Sequence, residues 1–528
     1  MCTKLAVVLG AALALLALAC GDDDGGASPT PGDTSPATTG PAGAACEEDL
    51  GPQTAVTHVY GADDTDYMAD RFSLATGDFN DDGFDDALIG APLADGPDNS
   101  RLNTGEAYVI FGSESLPETV DIVDGAPLTI YGAAPSDNLG LTVVAGDING
   151  DGVDDIVAGA RFASVEGRDQ AGKVYVIFGR PDLPDVIDTA AGDQDVTVVG
   201  VDPADFFGIS VSAADVTADG IDDLLIGAIS GSGPEGDRAR AGEVHVVPGS
   251  EDIGGVIDLR EDEPFFTVYG AFPDDALANF ISAGDVNGDG RGDLILGAPL
   301  AERGDISRTD AGEAYIVPVP EEGGTLDLAS GEGFTRITGA LERDQLGHFV
   351  AGADVNGDGT DDAIISARDA DGPGDGRNNA GELHVLYGRS GLPDAIDLAE
   401  ESLDVVVYGR DAGDSLGFSL AAGDINDDGT ADILAGAPAA EGCQNARIEG
   451  GEAYAIFGGD LPGVIDLAET EPDVELYGPR AGDEAGFSVA TGDFNGDGAG
   501  DLLIGALLAD GPQFDRSDAG EAYIVLSE

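Results

Sequence analysis

The sequence predicts an all-β protein: a seven-bladed β-propeller of four-stranded blades, with the ring closed by the N-terminal strand completing the last blade. Three observations lead to this prediction. A unit of 68 to 70 residues recurs seven times from residue 56 onward. Each unit contains short apolar runs and no helix-length periodicity. The array also begins with the last strand of a unit and ends with the third.

The repeated unit contains four apolar runs of four to six residues, bounded by Gly, Asp or Pro, as in VTHVYG, DALIGAP and AYVIFG. Such runs are typical of short strands. Four-stranded units repeated radially are propeller blades, and ring closure protects their sheet edges. The near-constant spacing of the Asp-rich turns leaves no room for an inserted domain.

Closure of the ring follows from the two ends of the array. Residues 55–61 match the outermost strand of a blade, and the C-terminal GEAYIVLSE matches a third strand. The last blade therefore lacks its outer strand where the N-terminal end of the array has a spare one. Pairing the two closes the ring without a covalent bond, which favours a closed propeller over an open solenoid.

The N-terminal segment indicates export. Residues 1–19 have one basic residue, an apolar run and small residues at the end, as a signal peptide does. Cys20, followed by GDDDGG, resembles the acylated cysteine of a bacterial lipoprotein, although Ala17 stands where such signals usually carry Leu. We therefore expect a lipoprotein anchored at the cell envelope or surface. The same residues also fit an ordinary cleavage site, which leaves plain secretion as the alternative.

Domain organisation and charge limit the partners. Residues 20–45, from the lipidated cysteine onward, have the composition of a disordered tether, and residues 46–528 form the propeller domain. The chain has 103 acidic residues, 22 Lys and Arg, and a net charge of -81. This charge repels nucleic acid and anionic lipid. We expect no nucleic-acid partner, and contact with a membrane only through the N-terminal lipid.

Each unit contains one Asp-rich turn of the form D-x-N-x-D-G-x-x-D. Hard oxygen ligands at alternate positions of a tight loop suit Ca²⁺, as in the first half of an EF-hand loop. The expected ligand side chains are Asp78, Asn80, Asp82 and Asp86; Asp147, Asn149, Asp151 and Asp155; Asp215, Thr217, Asp219 and Asp223; Asp285, Asn287, Asp289 and Asp293; Asp354, Asn356, Asp358 and Asp362; Asp424, Asn426, Asp428 and Asp432; and Asp493, Asn495, Asp497 and Asp501.

The predicted cofactor is Ca²⁺, up to seven ions with one per blade. The alternative is that these are Asp-Gly hairpin turns that need no metal. Crowded carboxylates would repel each other by about 1 kcal/mol per pair, which favours a bound cation. Thr217 departs from the pattern, so the third site should bind most weakly. The expected role is structural, because metal binding energy becomes folding energy.

The other face of the disc has two further sevenfold series. The first is arginine: Arg101, Arg168, Arg238, Arg308, Arg377, Arg447 and Arg516. The second is aspartate: Asp66, Asp137, Asp205, Asp275, Asp344, Asp414 and Asp483. Equal numbers favour Arg–Asp pairs that lock loops together, and a ring of arginines that captures an anionic ligand is the alternative.

Residues 416–438, LGFSLAAGDINDDGTADILAGAP, carry every element of the unit. The units resemble the FG-GAP repeats of the integrin α-subunit N-terminal propeller, here in a bacterial lipoprotein, and the resemblance covers residues 55–528. It implies calcium loops on the lower face and ligands or partner subunits on the upper face. Two departures are that all seven units carry a calcium loop and that no adhesion domain is inserted.

For function, the sequence favours binding over catalysis. None of the four histidines belongs to a recognisable catalytic group, so we expect no enzyme. The predicted function is an exported calcium-binding scaffold for protein binding or cell adhesion, with an unknown protein or glycan ligand on the face opposite the calcium loops. The alternative is a calcium-dependent, lectin-like surface protein. Trp is absent, and only Tyr67 is spare for stacking on a sugar.

Two cysteines remain after Cys20, namely Cys46 and Cys443. In an oxidising compartment they could form a disulfide that pins the ring closure. Sequence spacing does not show the geometry that a disulfide requires, so two free thiols are the alternative.

Overall fold

The computed structural model describes residues 56–302, 308–442, 445–512 and 514–527. The predicted signal peptide, the tether, Cys20, Cys46 and Cys443 lie outside these residues. The described residues form 34 strands, a few short 3-10 helices and no α-helix.

The first 17 strands are β1 (Val56–Tyr60), β2 (Leu74–Gly77), β3 (Asp86–Ala91), β4 (Glu106–Ile110), β5 (Thr119–Asp121), β6 (Leu128–Tyr131), β7 (Thr142–Gly146), β8 (Asp155–Ala160), β9 (Lys173–Ile177), β10 (Val186–Asp188), β11 (Val196–Val199), β12 (Phe207–Ala214), β13 (Asp223–Ala228), β14 (Glu243–Val247), β15 (Gly255–Asp258), β16 (Phe266–Tyr269) and β17 (Phe280–Gly284). The other 17 are β18 (Asp293–Ala298), β19 (Glu313–Pro318), β20 (Gly324–Asp327), β21 (Thr335–Thr338), β22 (Leu346–Ala353), β23 (Asp362–Ala367), β24 (Glu382–Leu386), β25 (Ala395–Asp397), β26 (Val405–Tyr408), β27 (Ser419–Gly423), β28 (Asp432–Ala437), β29 (Glu452–Ile456), β30 (Val464–Asp466), β31 (Val474–Tyr477), β32 (Ala485–Gly492), β33 (Asp501–Ala506) and β34 (Glu521–Val525). The 3-10 helices are Pro97–Asn99, Ile122–Asp124, Leu328–Ser330 and Pro373–Asp375.

The strands form seven sheets, and each sheet is one blade of a ring. From the axis outward, the four antiparallel strands are β2, β3, β4 and β6 in blade one; β7, β8, β9 and β11 in blade two; β12, β13, β14 and β16 in blade three; β17, β18, β19 and β21 in blade four; β22, β23, β24 and β26 in blade five; β27, β28, β29 and β31 in blade six; and β32, β33, β34 and β1 in blade seven. Each innermost strand contacts the innermost strand of the next blade, and β32 contacts β2. This closed circle confirms the predicted seven-bladed β-propeller.

The ring closes as predicted. β1 pairs antiparallel with β34, from Val56 opposite Val525 to Tyr60 opposite Glu521. The side chain of Val59 is fully buried in this seam. The first strand of the array therefore supplies the fourth strand of blade seven.

A fifth strand, which the sequence analysis did not predict, lies at the outer edge of six blades. It is β5, β10, β15, β20, β25 or β30, and it pairs in parallel with the fourth strand of its blade. In every case it comes from the connection between the third and fourth strands of the following blade. Each of these blades is therefore joined to the next one by shared strands as well as by packing.

The core lies between the blades and is filled mainly by aliphatic side chains and by the tyrosine of the GEAY segment. These tyrosines are almost completely buried: Tyr108, Tyr175, Tyr315, Tyr454 and Tyr523. His245 and His384 take the same position in blades three and five and are also buried. Both histidines are therefore core residues.

Candidate calcium loops and the opposite face

The seven Asp-rich loops connect the first and second strands of the blades. In blade one the loop begins at Asp78, directly after β2, and ends at Asp86, the first residue of β3. The same connection carries the loop in every blade. All seven loops therefore lie on one face of the disc, which we call the calcium-loop face.

The hydrogen bonds of the first and fifth positions recur in all seven loops, whereas in blade four the last aspartate, Asp293, accepts from the backbone and side chain of Asn287 instead. In blade one the N–H groups of Asp82 and Gly83 donate to the two carboxylate oxygens of Asp78, at 3.0 and 2.8 Å. The N–H of Phe84 donates to Asp82 Oδ1 at 3.1 Å. The carboxylate of Asp86 accepts from Phe79 N at 3.1 Å and from Gly112 N at 2.8 Å. The carboxylates at the first, fifth and ninth positions of the loop are thus each held by backbone N–H groups.

The crowding of three carboxylates that the sequence predicted does not occur. Among the described residues, no group of three or more His, Cys, Asp or Glu side chains is close enough to hold a metal ion. The hydrogen bonds explain this, because the loop carboxylates turn toward backbone N–H donors. The structure therefore weakens the argument, made from the sequence, that carboxylate repulsion favours a bound cation.

Unsatisfied oxygens in the loops fit a cation. Asn80 Oδ1 and Asn426 Oδ1 are buried and have no hydrogen-bond partner. Such atoms are rare in folded proteins because their desolvation is unfavourable. A hard cation with oxygen ligands would satisfy them. The hydroxyl of Thr217 lies 3.4 Å from Asp223 Oδ1 and can donate to it, as the amide of Asn80 does to Asp86 Oδ2 at 3.5 Å.

Burial also affects the last aspartate of each loop. It raises the pKa of the Asp86 carboxyl to about 8 and the pKa values of Asp155 and Asp362 to about 7. A buried carboxylate is disfavoured unless a positive charge or hydrogen bonds compensate for the lost hydration. Backbone N–H groups supply part of that compensation here, and a cation would supply the rest.

Neighbouring loops are linked by aspartates that the sequence analysis did not single out. The N–H of Asp78 in blade one donates to Asp154 Oδ2 in blade two at 3.0 Å. The same bond links Asp147 to Asp222, Asp285 to Asp361 and Asp493 to Asp85. The acceptor always stands just before the last aspartate of the next loop, and this was the signal available in the sequence.

The arginine series lies on the opposite face, but its partners differ from those expected. Arg101 donates to both carboxylate oxygens of Asp188, at 2.7 and 2.6 Å, and to the carbonyl of Gly132 at 2.8 Å. Four further pairs have this arrangement, namely Arg168–Asp258, Arg238–Asp327, Arg308–Asp397 and Arg516–Asp121, and Arg377 donates to one carboxylate oxygen of Asp466. Each aspartate ends a fifth strand. In these six blades the arginines lock blade edges and do not form an open ring for an anionic ligand.

The predicted partners, the series from Asp66 to Asp483, have another role, and all of them are buried except Asp205, which is half-buried. The carboxylate of Asp66 accepts the N–H of Asp63 at 3.2 Å, and that of Asp275 accepts the N–H of Phe272 at 3.2 Å. Burial raises the pKa of Asp66 to about 7 and that of Asp275 to about 8. Five of the seven side chains cap turns in this way, out of reach of the arginine series, namely Asp66, Asp137, Asp275, Asp344 and Asp414.

The central axis contains a cavity of about 380 Å³. Hydroxyl side chains of the inner strands line it, including Thr76, Thr142 and Ser210. The ring of Phe280 packs against those of Phe72 and Phe349, with centroids 4.2 and 3.5 Å away. Phe280 is thus a buried core residue of blade four.

The four histidines lie inside the described structure, at His58, His245, His348 and His384. Burial lowers the pKa of His245 to about 4. His58 packs edge-on against Tyr523, with ring centroids 5.2 Å apart. Their positions suit packing rather than proton transfer to a bound substrate.

Comparison with known proteins identifies the repeat. Residues 72–110, 139–177, 207–247, 278–317, 416–447 and 485–525 match the FG-GAP repeat. These matches lie in six blades, and the structure adds blade five, between the fourth and fifth matches. The fold and the repeats together define an FG-GAP repeat β-propeller.

Relatives of this chain include integrins and phospholipases. Integrin alpha pat-2 of Caenorhabditis elegans is 31% identical over 252 residues, covering 45% of this chain and 18% of the relative. Phosphatidylinositol-glycan-specific phospholipase D of Dictyostelium discoideum is 23% identical over 500 residues, covering 87% of this chain and 51% of the relative. The human protein of that name is 28% identical over 306 residues, covering 56% and 34%. The chain spans at most about half the length of these relatives, and it is an integrin-alpha-like FG-GAP β-propeller.

No helix among the described residues is long and apolar enough to cross a membrane.

Proposed function

We propose that this chain is an exported calcium-binding propeller that acts as a protein-binding or adhesion scaffold outside the cytoplasm. The observation that supports the calcium assignment is the pair of buried, unsatisfied side-chain oxygens of Asn80 and Asn426, in loops whose first and fifth positions are held alike in all seven blades. In blade one the ligands would be the side chains of Asp78, Asn80, Asp82 and Asp86 and the carbonyl oxygen of Phe84. A bound Ca²⁺ would stiffen the loop and stabilise the blade.

A pair of substitutions in one loop tests the metal assignment. Asp78→Ala removes a ligand, whereas Asp81→Asn changes an exposed side chain of the same loop that takes no part in the ligand pattern. We expect Asp78→Ala to reduce the calcium bound per chain by about one ion and Asp81→Asn to leave it unchanged. Equal calcium content in both variants and the parent protein would refute the site.

Exposed apolar side chains support protein binding on the opposite face. Leu102, Ile448 and Phe514 are large and exposed. They lie in the connections between the second and third strands of blades one, six and seven, which are neighbours in the ring. Exposed apolar groups clustered on a soluble protein commonly mark interaction sites.

Parallel screens separate a protein ligand from a glycan ligand. The calcium-loaded protein is applied to a phage-displayed peptide library and to a glycan array. We expect peptide binding that the triple variant Leu102→Ser, Ile448→Ser and Phe514→Ser loses and that Val256→Ser, at the rim of blade two, retains. Glycan binding without peptide binding would favour the lectin-like alternative, and peptide binding that survives the triple substitution would refute this surface.

Binding rather than catalysis is proposed because the described histidines are core residues and because the arginines of six blades are paired with aspartates. Some similar proteins are named phosphatidylinositol-glycan-specific phospholipase D, so the alternative of catalysis can be tested by assaying that activity. The purified protein is incubated with phosphatidylinositol-glycan and the release of product is measured. Turnover that a calcium-loop variant abolishes would overturn the proposal.

Anchoring at Cys20 is proposed from the signal sequence. In a bacterial host fed with labelled palmitate, the parent protein and a Cys46→Ser variant should carry label, and Cys20→Ser should not. Unlabelled parent protein in the medium would instead support plain secretion.

A further inference from the structure

The first and third residues of the third strand lie on the same side of each blade. In six blades the first residue is glutamate, and in four of these six the third is a tyrosine whose hydroxyl donates to that glutamate. The pairs are Tyr108–Glu106, Tyr315–Glu313, Tyr454–Glu452 and Tyr523–Glu521. In blades three and five a histidine replaces the tyrosine, and its Nε2 lies 3.6 or 3.3 Å from the glutamate Oε2. A polar ring atom therefore accompanies the glutamate carboxylate in all six blades.

Blade two differs at one of these positions. Its third strand, β9, begins with Lys173 instead of glutamate, whereas Tyr175 is retained. The side chain of Tyr175 is 2% exposed, and its hydroxyl has no hydrogen-bond partner among the described residues. The hydroxyl of Thr189 nearby donates to the carbonyl of Tyr131 at 2.9 Å. Burying a hydroxyl without a partner is unfavourable, so the Tyr175 hydroxyl indicates a place for an acceptor from outside the chain.

Lys173 and Tyr175 line a pocket of about 420 Å³ at the junction of blades one and two. Lys173 is the residue of β9 nearest the opposite face, and Thr189 follows β10, the strand that pairs with the edge of blade one. Val165 and Val199 form apolar parts of the wall. A pocket of this volume is the size of a site for a small molecule.

The polar groups of this pocket determine which ligand fits it. Lys173 is half-buried, and its Nζ lies 6.0 Å from the centre of the Tyr175 ring. On another wall, Gln194 Nε2 donates to Thr197 Oγ1 at 2.9 Å. Gln194 Oε1 is buried and has no hydrogen-bond partner among the described residues. The pocket therefore offers an ammonium and a hydroxyl as neighbouring donors, and one amide oxygen as an acceptor.

Blade seven shows how such donors hold a carboxylate. The carboxylate of Glu521 accepts from the Tyr523 hydroxyl and from Arg480 Nη1, each at 2.8 Å. Arg480 Nη1 also lies 3.8 Å from the carboxylate of Asp483. One cation and one tyrosine hydroxyl thus accommodate a buried carboxylate beside a second one.

Blade two contains the same groups except the central carboxylate. By position in the repeat, Tyr175 corresponds to Tyr523 and Asp137 to Asp483. Burial raises the pKa of the Asp137 carboxyl to about 6, and the nearby Lys173 ammonium opposes that rise. Lys173 therefore supplies the positive charge that an arginine supplies in blade seven. Only the carboxylate that accepts the tyrosine hydroxyl has no counterpart in the described part of blade two.

We propose that the pocket between blades one and two binds a small hydroxycarboxylic acid. The ligand carboxylate takes the place of the glutamate carboxylate of the other blades and accepts from the Tyr175 hydroxyl and the Lys173 ammonium. A hydroxyl group of the ligand donates to Gln194 Oε1. Hydrogen bonds to a charged group are the stronger ones, so the carboxylate contributes most of the affinity. This site does not include the exposed apolar side chains proposed above to bind a protein.

Calorimetric titration of the full chain tests the ligand class. It is carried out at physiological ionic strength, where long-range repulsion by the net charge of -81 is screened. The probes are D-glucuronate, D-glucose, which lacks the carboxylate, and cyclohexanecarboxylate, which lacks the hydroxyls. We expect D-glucuronate to bind at least about tenfold more tightly than either of the others. No binding of D-glucuronate, or equal binding of D-glucose, would overturn the proposal.

Substitutions locate the binding in this pocket. Lys173→Glu should abolish binding and preserve the fold, because glutamate takes this position in the six other blades and would itself accept the tyrosine hydroxyl. Tyr175→Phe should weaken D-glucuronate binding at least about tenfold, and Tyr108→Phe, the matched change in blade one, should leave it unchanged. Gln194→Leu should weaken D-glucuronate but not cyclohexanecarboxylate. Binding that is unchanged by Lys173→Glu or by Tyr175→Phe would refute the site.

Urea unfolding without ligand provides a test that needs no probe. Tyr108→Phe should lower the unfolding midpoint because it breaks the bond to Glu106. Tyr175→Phe should not lower it, because the hydroxyl that it removes has no partner among the described residues. Equal losses would show that the Tyr175 hydroxyl is already bonded within the protein, which contradicts the proposal. Neither calcium content nor peptide binding enters these tests, so the proposed function is tested separately.

Discussion

Truncation of one edge arginine should destabilise the propeller measurably. Arg238 donates to both oxygens of Asp327, at 2.7 and 2.9 Å, and to the carbonyl of Gly270 at 2.6 Å. Its side chain is 13% exposed, whereas that of Asp327 is 38% exposed. Breaking a fully buried ion pair costs about 3 to 5 kcal/mol, and breaking an exposed pair costs at most about 1 kcal/mol. Because Asp327 regains water in Arg238→Met, we expect a loss of about 2 kcal/mol.

The neighbouring pair provides the control. Arg240 donates from Nε to Asp274 Oδ1 at 2.7 Å, but the two side chains are 53% and 61% exposed. Arg240→Met should cost about 0.5 kcal/mol or less. Both variants are compared by urea unfolding in saturating calcium, and a double-mutant cycle with Asp327→Ala measures the coupling to Arg238. Equal losses for the two arginines, or no coupling, would refute the assignment of the buried pairs as edge locks.

Three further substitutions, the first with a matched control, test other parts of the structure by the same unfolding measurement. Val59→Ala should cost about 2 kcal/mol because it opens a cavity in the closing seam, and Val123→Ala, at an exposed site, should change stability by less than about 0.5 kcal/mol. Burial, reinforced by Glu313 and Glu302, raises the pKa of Asp275 to about 8, so the stability that its bound proton contributes is fully present below about pH 4 and is lost as the pH rises through 8. Asp275→Asn should flatten this decline, and an unchanged pH profile would contradict it. Asp154→Ala should cost about 1 kcal/mol by removing the bond between loops while leaving the calcium count unchanged, and a lost calcium ion would show that Asp154 is a ligand instead.

The repeat made the blades, their number and the ring closure predictable. The constant spacing located every Asp-rich loop. The spare strand at the N-terminal end of the array and the missing fourth strand of the last blade identified β1 as the partner of β34. The fifth strands were not predictable in the same way. They are three or four residues long and pair with the preceding blade, so no local pattern distinguishes them from a loop.

The aspartate partners of the arginine series were harder to predict from the sequence than the loops were. Two aspartate series with nearly the same period were available to the arginines, and spacing along the sequence did not discriminate between them. Burial decides the outcome, because Asp66 and its equivalents face the interior whereas Asp188 and its equivalents lie at the blade edge. The Asp154 bonds to the next loop depend on the spacing between blades, which the sequence does not specify.

The most direct test of the account is a calcium count on the purified protein together with thermal unfolding with and without excess EDTA. The account predicts about seven calcium ions per chain, one for each Asp-rich loop, and a clear fall in melting temperature when EDTA removes them. A chain that carries no calcium and melts at the same temperature in EDTA would show that the loops are hairpin turns held by backbone hydrogen bonds alone.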